Sequence, residues 1–293
     1  MTQETPITTP ETQSDLRWAK IVLPTSLWFG LLIAFIYWRV IRQMAGDWMI
    51  DDDMGHGFFV PVVALYIVWL KRHELVDCVP NWWGLLLVVY AAVQFFVATL
   101  GAELYLARTS LILVLAGGVL LLAGTENFKR LMLPLLLLFF MVPLPAIIYN
   151  QITFPLQIFA SKVAEASLTL LGIPVLRDGN ILKLPSKRLS VVEACSGIRS
   201  LLSLTFLSLV YGYLFDRRSW MKWALLLATV PIAIVVNAMR VTITGILSEI
   251  NPELAEGFFH TAEGWIVFVM ALALLVLAHR TFSWVGSRFL SKN

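Results

Sequence analysis

Apolar runs long enough to cross a bilayer recur along almost the whole chain, and no other feature limits its fold as tightly. They fall at about Ile21–Trp38, His56–Leu70, Trp83–Leu100, Leu104–Ala123, Leu131–Leu144, Gly197–Phe215, Met221–Leu247 and Gly264–Ala278. A hydrocarbon core of roughly 30 Å takes about 20 apolar residues of helix, so the runs read as about eight transmembrane helices, the second and fifth short. Lipid offers the backbone no hydrogen-bond partners, which makes an all-α polytopic membrane protein the predicted fold class. Composition agrees: 59% of the 293 residues are hydrophobic and 14% charged, with a mean hydropathy of +0.80. That leaves no length for a separate soluble domain, and residues 1–293 read as one membrane domain.

The order of segments is simple. Residues 1–20 are polar, without the basic patch and short apolar core of a cleaved signal peptide, and read as a cytoplasmic N-terminus. Five spans fill 21–144, and three more fill 197–293. Between them lies the one long connection, 145–196. Its first half, Ile147–Leu171, is apolar but interrupted by Gln151, Pro155, Gln157, Lys162 and Glu165, the pattern of an interfacial or partly re-entrant helix. Its second half reads as a small outward-facing β-hairpin: Val175-Leu176-Arg177, the turn pair Asp178-Gly179, then Ile181-Leu182-Lys183-Leu184.

Lys and Arg set the orientation. With the N-terminus cytoplasmic, that side collects Arg17 and Lys20, Lys71 and Arg72, Lys129 and Arg130, Arg217, Arg218 and Lys222, then Arg280, Arg288 and Lys292. The opposite side receives Asp47, Asp51, Asp52, Asp53, Glu103, and a last loop with Glu249, Glu253 and Glu256 but no Lys or Arg. Arg39, Arg42 and the basic residues of the long connection dissent, but long translocated segments weigh little in this rule. Both termini are therefore expected inside. The basic residues form short clusters rather than one stripe, and the net charge is +3, so nucleic acid is excluded as a partner and membrane lipid is the expected surroundings. Cys78 and Cys195 fall on opposite faces in this topology and lack metal-ligand spacing, so neither a disulfide between them nor a metal or other cofactor is expected.

Three reactive side chains reach one depth. Along a helix rising about 1.5 Å per residue, Cys195 lies about 33 Å from Arg217, Arg240 about 27 Å from Lys222 and His260 about 30 Å from Arg280. All three therefore stand near the outer boundary of the membrane. Cys195 opens the sixth span, where the positive end of the helix dipole and Arg199 one turn on favour thiolate; Glu193 and Ser196 make the segment polar. Alone, it could equally be a small buried hydrophobe. Arg240 sits inside an apolar helix with Asn237 on the same face, a costly placement that marks function unless the guanidinium snorkels to the interface or pairs with Glu249. His260 could serve as acid or base, oriented by Glu256 or Glu263, or be a solvated loop histidine. His56 and His73 are weaker candidates, and His279 reads only as part of the inner basic rim.

Glu193-Ala194-Cys195-Ser196-Gly197-Ile198-Arg199-Ser200-Leu201, Asn237-Ala238-Met239-Arg240-Val241, and His260 followed by Gly264-Trp265 together resemble the exosortase/archaeosortase family of membrane cysteine transpeptidases. His56-Gly57-Phe58-Phe59-Val60-Pro61, running on to Trp69, is similar to a further and less specific family feature, and the resemblance covers about 47–265. It implies a bacterial inner-membrane enzyme with a periplasmic active site. Its partners would be exported proteins ending in a Pro-Glu-Pro signal, a transmembrane helix and a basic tail, often within an exopolysaccharide system whose further component would be a separate protein. Cys195 would be the nucleophile, His260 the acid/base and Arg240 the stabiliser of the tetrahedral intermediate, supported by Glu193, Ser196, Arg199, Asn237 and Glu263. Two rivals from other classes remain at this point: a transporter, disfavoured by the lack of an inverted repeat and of mid-membrane acids, and a non-catalytic polysaccharide-export assembly factor.

The charge asymmetry generates a direct test. An impermeant thiol reagent applied from outside should label a cysteine placed at Glu253 and leave one placed at Lys129 unmodified. The reverse pattern would put the Cys195 end in the cytoplasm.

Overall fold

The computed structural model describes residues 23–76, 78–191, 197–216, 218–251 and 258–290. It divides into two compact units, Met1–Leu144 and Pro145–Asn293. The boundary falls where the sequence separates the fifth apolar run from the long connection.

The first unit begins with α1 (Leu23–Ile36) and α2 (Trp38–Ile50), a pair bent by 72° around Tyr37. Next come α3 (Phe59–Leu70), flanked by 3-10 turns, α4 (Trp83–Leu100), and α5 (Leu104–Leu137), which ends in a 3-10 turn, Leu138–Met141. α4 and α5 are antiparallel. Gln94 Nε2 donates to the Leu106 carbonyl at 2.9 Å and Thr109 Oγ1 at 2.8 Å, while at the far end the Asn81 amide reaches the Leu121 carbonyl at 3.3 Å. Gly84 lets the backbones touch, since a Cβ there would lie 2.2 Å from Leu121 N.

α5 is not straight. Asp47 forms an ion pair with Arg108, and the adjacent Trp48 donates from Nε1 to the Met141 carbonyl at 2.9 Å. In a straight helix the 33 residues from Arg108 to Met141 would span about 50 Å, far beyond the reach of two neighbouring side chains. The chain therefore doubles back at Gly124, whose φ of 85° and ψ of 177° lie in a region essentially reserved for glycine. One limb is the apolar run that ends at Ala123. The other returns with Pro134 inside it, so that His56 Nε2 meets the Phe140 carbonyl at 3.1 Å and Lys71 Nζ the Arg130 carbonyl at 2.6 Å.

The second unit starts with α6 (Ala146–Leu170), one helix through Pro155, followed by a three-stranded antiparallel sheet, β1 (Leu176–Asp178), β2 (Ile181–Lys183) and β3 (Arg188–Ser190), in the order β1-β2-β3. Two details of the predicted hairpin are corrected. Asp178 pairs with Ile181, so the turn is Gly179-Asn180, with Gly179 at φ 65°, and a third strand extends the hairpin. α7 (Gly197–Phe215), α8 (Ser219–Ile250) and α9 (Phe258–Leu290) complete the chain, with α8 packed against α6, α7 and α9. Leu204, Leu225, Val236, Val267 and Leu275 are buried in the core that joins α7, α8 and α9.

The described chain is thus an all-α membrane protein carrying one small sheet. Five of its helices are long and apolar enough to cross a membrane, or six if the bent α1–α2 pair is one span; Leu201–Phe215 is shorter. About eight is not reached by that measure, which takes Leu104–Met141 as one helix although it doubles back at Gly124.

The reversal yields a prediction. Gly124→Ala combines a glycine-only conformation with a Cβ 2.2 Å from the Val79 carbonyl oxygen. It should destabilise the protein by at least about 1–3 kcal/mol, read as a lower unfolding midpoint in detergent.

Candidate active site

α8 carries a file of buried polar residues: Thr229, Asn237, Arg240, Thr244 and Ser248. The hydroxyls are absorbed by the helix itself. Thr229 Oγ1 donates to the Leu226 carbonyl at 2.6 Å, Thr244 Oγ1 to the Arg240 carbonyl at 2.9 Å and Ser248 Oγ to the Thr244 carbonyl at 2.7 Å. Such back-bonding commits each hydroxyl proton to the helix. Asn237 and Arg240 lie one turn apart on one face of this helix.

Arg240 is 5% exposed and Asn237 4%. The guanidinium is thus buried in protein instead of snorkelling to an interface. Nor does Glu249 neutralise it: that carboxylate accepts from Ser186, through the backbone amide at 3.0 Å and Oγ at 2.5 Å. Glu249 also stands nine residues up the helix, about 14 Å of rise away.

The sheet sits beside the same turn of α8. Leu182, Leu184, Leu189 and Val191 form one buried cluster with Ala160, Ala164 and Leu168 of α6 and with Ala238 and Val241 of α8. Two of the residues that interrupt the apolar pattern of α6, Gln157 and Glu165, have a purpose: with Ser161, each one turn apart, they are the seam that receives the hairpin. Asn180 Nδ2 donates to Gln157 Oε1 at 3.0 Å, Ser161 Oγ to the Gly179 carbonyl at 3.0 Å and Arg177 Nε to Glu165 Oε2 at 2.8 Å. The Val191 amide then closes onto the Asn180 carbonyl at 3.0 Å, four residues before Cys195.

Cys195, Glu193 and Ser196 lie outside the described residues. α7 begins at Gly197, two residues beyond Cys195, with Arg199 in its first turn. His260 is the third residue of α9 and Glu263 the sixth; the side chains of Arg199, His260 and Glu263 are not among those described. The residues brought together are therefore Asn237 and Arg240, with Val191, just beyond β3 on the way to Cys195, packed in one cluster with their neighbours Ala238 and Val241. Among the described residues no three His, Cys, Asp or Glu side chains gather as metal ligands.

Two sites escaped the sequence. Arg108, 5% exposed, pairs with Asp47 in the first unit. Its place five residues into an apolar run was a signal of the same kind as Arg240. At the opposite end of α8 from Arg240, Asp216 accepts from Arg218 Nη2 at 2.7 Å, from the Arg218 amide at 2.8 Å and bonds His279 Nε2 at 3.1 Å, while His279 Nδ1 meets Tyr211 Oη at 3.0 Å. The Arg218 guanidinium holds the Asp216 carboxyl well below the usual carboxylate range. His279 thus ties α9 to the end of α7 and the start of α8, a role that counting it in a basic rim did not suggest.

A family profile described as transmembrane exosortase matches residues 48–277, well over half of the chain. No curated protein and no solved structure matches it.

Proposed function

The chain belongs to the transmembrane exosortase family, and on that premise we propose that Cys195, Arg240 and His260 form a catalytic triad which cleaves the C-terminal sorting signal of exported proteins. The family is one of membrane cysteine proteases and transpeptidases acting on exported proteins with sorting signals. The observation that carries the reading is Arg240: a guanidinium buried in the central helix of its unit, one turn from Asn237, whose neighbours Ala238 and Val241 share a buried cluster with Val191, four residues before Cys195.

In the proposed reaction the Cys195 thiolate attacks the scissile carbonyl carbon, and the carbonyl π pair moves onto oxygen. The Arg240 guanidinium donates to that oxyanion. When the intermediate collapses, the C–N bond breaks and His260 protonates the leaving amine, leaving a thioester on Cys195. Water or an acceptor amine then attacks the thioester, giving hydrolysis or transpeptidation and regenerating the thiolate. Glu263 orients His260, Asn237 steadies Arg240, and Arg199 with the start of α7 holds the thiol as thiolate, in a segment shared with Glu193 and Ser196.

The substrate is an exported protein ending in a Pro-Glu-Pro-like signal, an apolar anchor helix and a basic tail. The basic tail stays inside, as this chain's own basic clusters do, and sets the scissile bond at the outer face of a bacterial inner membrane. An exopolysaccharide system is the proposed setting.

Co-expression with a tagged protein bearing such a signal should give a size shift that Cys195→Ala abolishes and Cys78→Ala leaves intact. Full processing by Cys195→Ala would remove the cysteine mechanism. Arg240→Lys keeps the charge but not the planar fork, and in a poorly solvated site lysine is prone to lose its proton. Processing should fall at least about a hundredfold, the scale of losing one oxyanion donor, with unchanged amounts of membrane-inserted protein. Near-normal turnover would return Arg240 to a structural role.

A further inference from the structure

We infer that Glu249 is a positioning residue: through Ser186 it fixes the sheet whose last strand leads into Cys195 against the helix that carries Arg240. The inference rests on the reading of Cys195 and Arg240 given above and adds a residue that neither the family match nor the triad assigns.

The sheet is held at both ends, by two different helices. Its β1–β2 turn is docked on α6 by Ser161 and Gln157, and Arg177 of β1 is paired with Glu165. Its β2–β3 turn is closed by the Leu184 amide on the Lys187 carbonyl at 2.9 Å, with Ser186 inside it. Ser186 gives two donors, amide and hydroxyl, to one oxygen of Glu249, 63 residues away. Glu249 is the last residue but one of α8, and the same helix carries Arg240. The clasp therefore links the strand that leads to the proposed nucleophile with the helix that holds the proposed oxyanion donor.

Apolar burial of Leu182, Leu184, Leu189 and Val191 keeps the sheet against α6 and α8, but burial is non-directional and does not choose a register. Directional bonds do. Glu249 gives the sheet two such bonds from α8. A shift of about 1 Å between nucleophile and oxyanion donor is enough to cost about a hundredfold in rate. Glu249 is thus placed to affect turnover without touching substrate.

The test uses the full-length enzyme in detergent, a Cys78→Ala background, and a fluorescently tagged protein ending in a Pro-Glu-Pro motif, an apolar helix and a basic tail. Rates are expressed per Cys195 thiol that iodoacetamide titrates, which removes differences in folded protein. Glu249→Ala should lower kcat about tenfold, the scale of losing hydrogen bonds to a charged acceptor, with KM within about twofold of the parent. Glu249→Gln, whose amide carbonyl still accepts from Ser186, should return kcat to within about threefold of the parent. Ser186→Ala should lower kcat a few-fold, and adding it to Glu249→Ala should cost nothing more, because the two act as one unit. Iodoacetamide should also modify Cys195 at least about threefold more slowly in Glu249→Ala, a readout that needs no substrate.

Unchanged kcat per titrated thiol in Glu249→Ala, or additive losses in the double variant, would overturn the inference. If Glu249→Ala does not accumulate, Ser186→Ala decides: parental kcat and parental alkylation rate reject it. Activity surviving in Cys195→Ala would strike the triad instead, a result distinguishable from either.

Discussion

A polar group placed inside an apolar bundle must find its partner within the protein, because neither lipid nor neighbouring hydrocarbon will supply one. That requirement organises both units. In the first, Tyr37 meets Ser110 at 3.1 Å, Asp47 meets Arg108 and Trp48 meets the Met141 carbonyl, so that α1, α2 and both limbs of α5 are held in one arrangement. In the second, α6 receives the hairpin through Gln157, Ser161 and Glu165, and α8 receives it through Glu249. Apolar packing supplies cohesion, while these few directional contacts choose which packing is adopted.

The same requirement explains why some features were legible in the sequence and others were not. Apolar runs announce helices because hydropathy is a local property; Trp83–Leu100 is reproduced residue for residue. The hairpin was visible for a similar reason, since Asp178-Gly179-Asn180 concentrates turn-forming residues. Its register was not, because Gly and Asn at the turn and Asp178 in the strand satisfy local rules about as well as the alternative, and β2–β3 pairing, Ile181 with Ser190 and Leu182 with Leu189, decides between them. Long-range partners were beyond reach: Ser186 and Glu249 are 63 residues apart, and His279 and Asp216 also 63. Each looks unremarkable in its own window. Arg108 is a different failure, for it obeyed the rule that singled out Arg240.

Among the candidate residues, the file on α8 was the most legible part. Asn237 and Arg240 stand out in an apolar run, and the structure adds what spacing does not contain, namely that both are buried in protein and that Glu249 is engaged elsewhere. Cys195 and His260 are legible in the sequence by their chemistry and by the residues around them, Glu193 to Arg199 and Glu263 to Trp265.

Burying a guanidinium is expensive, and cheaper cations exist, so the choice of arginine needs a reason. A buried lysine answers desolvation by shedding its proton, and a histidine would titrate near neutral pH. Arginine does neither, since its guanidinium stays protonated under all relevant conditions. Held by α8, which packs against three other helices, such a group keeps its charge and its direction before any substrate arrives. An oxyanion that exists only between attack and collapse gains most from a donor that does not have to reorganise. On the proposed reading, a guanidinium fixed in this way would serve as such a donor, and α8, packed against α6, α7 and α9, is the helix of its unit suited to hold it.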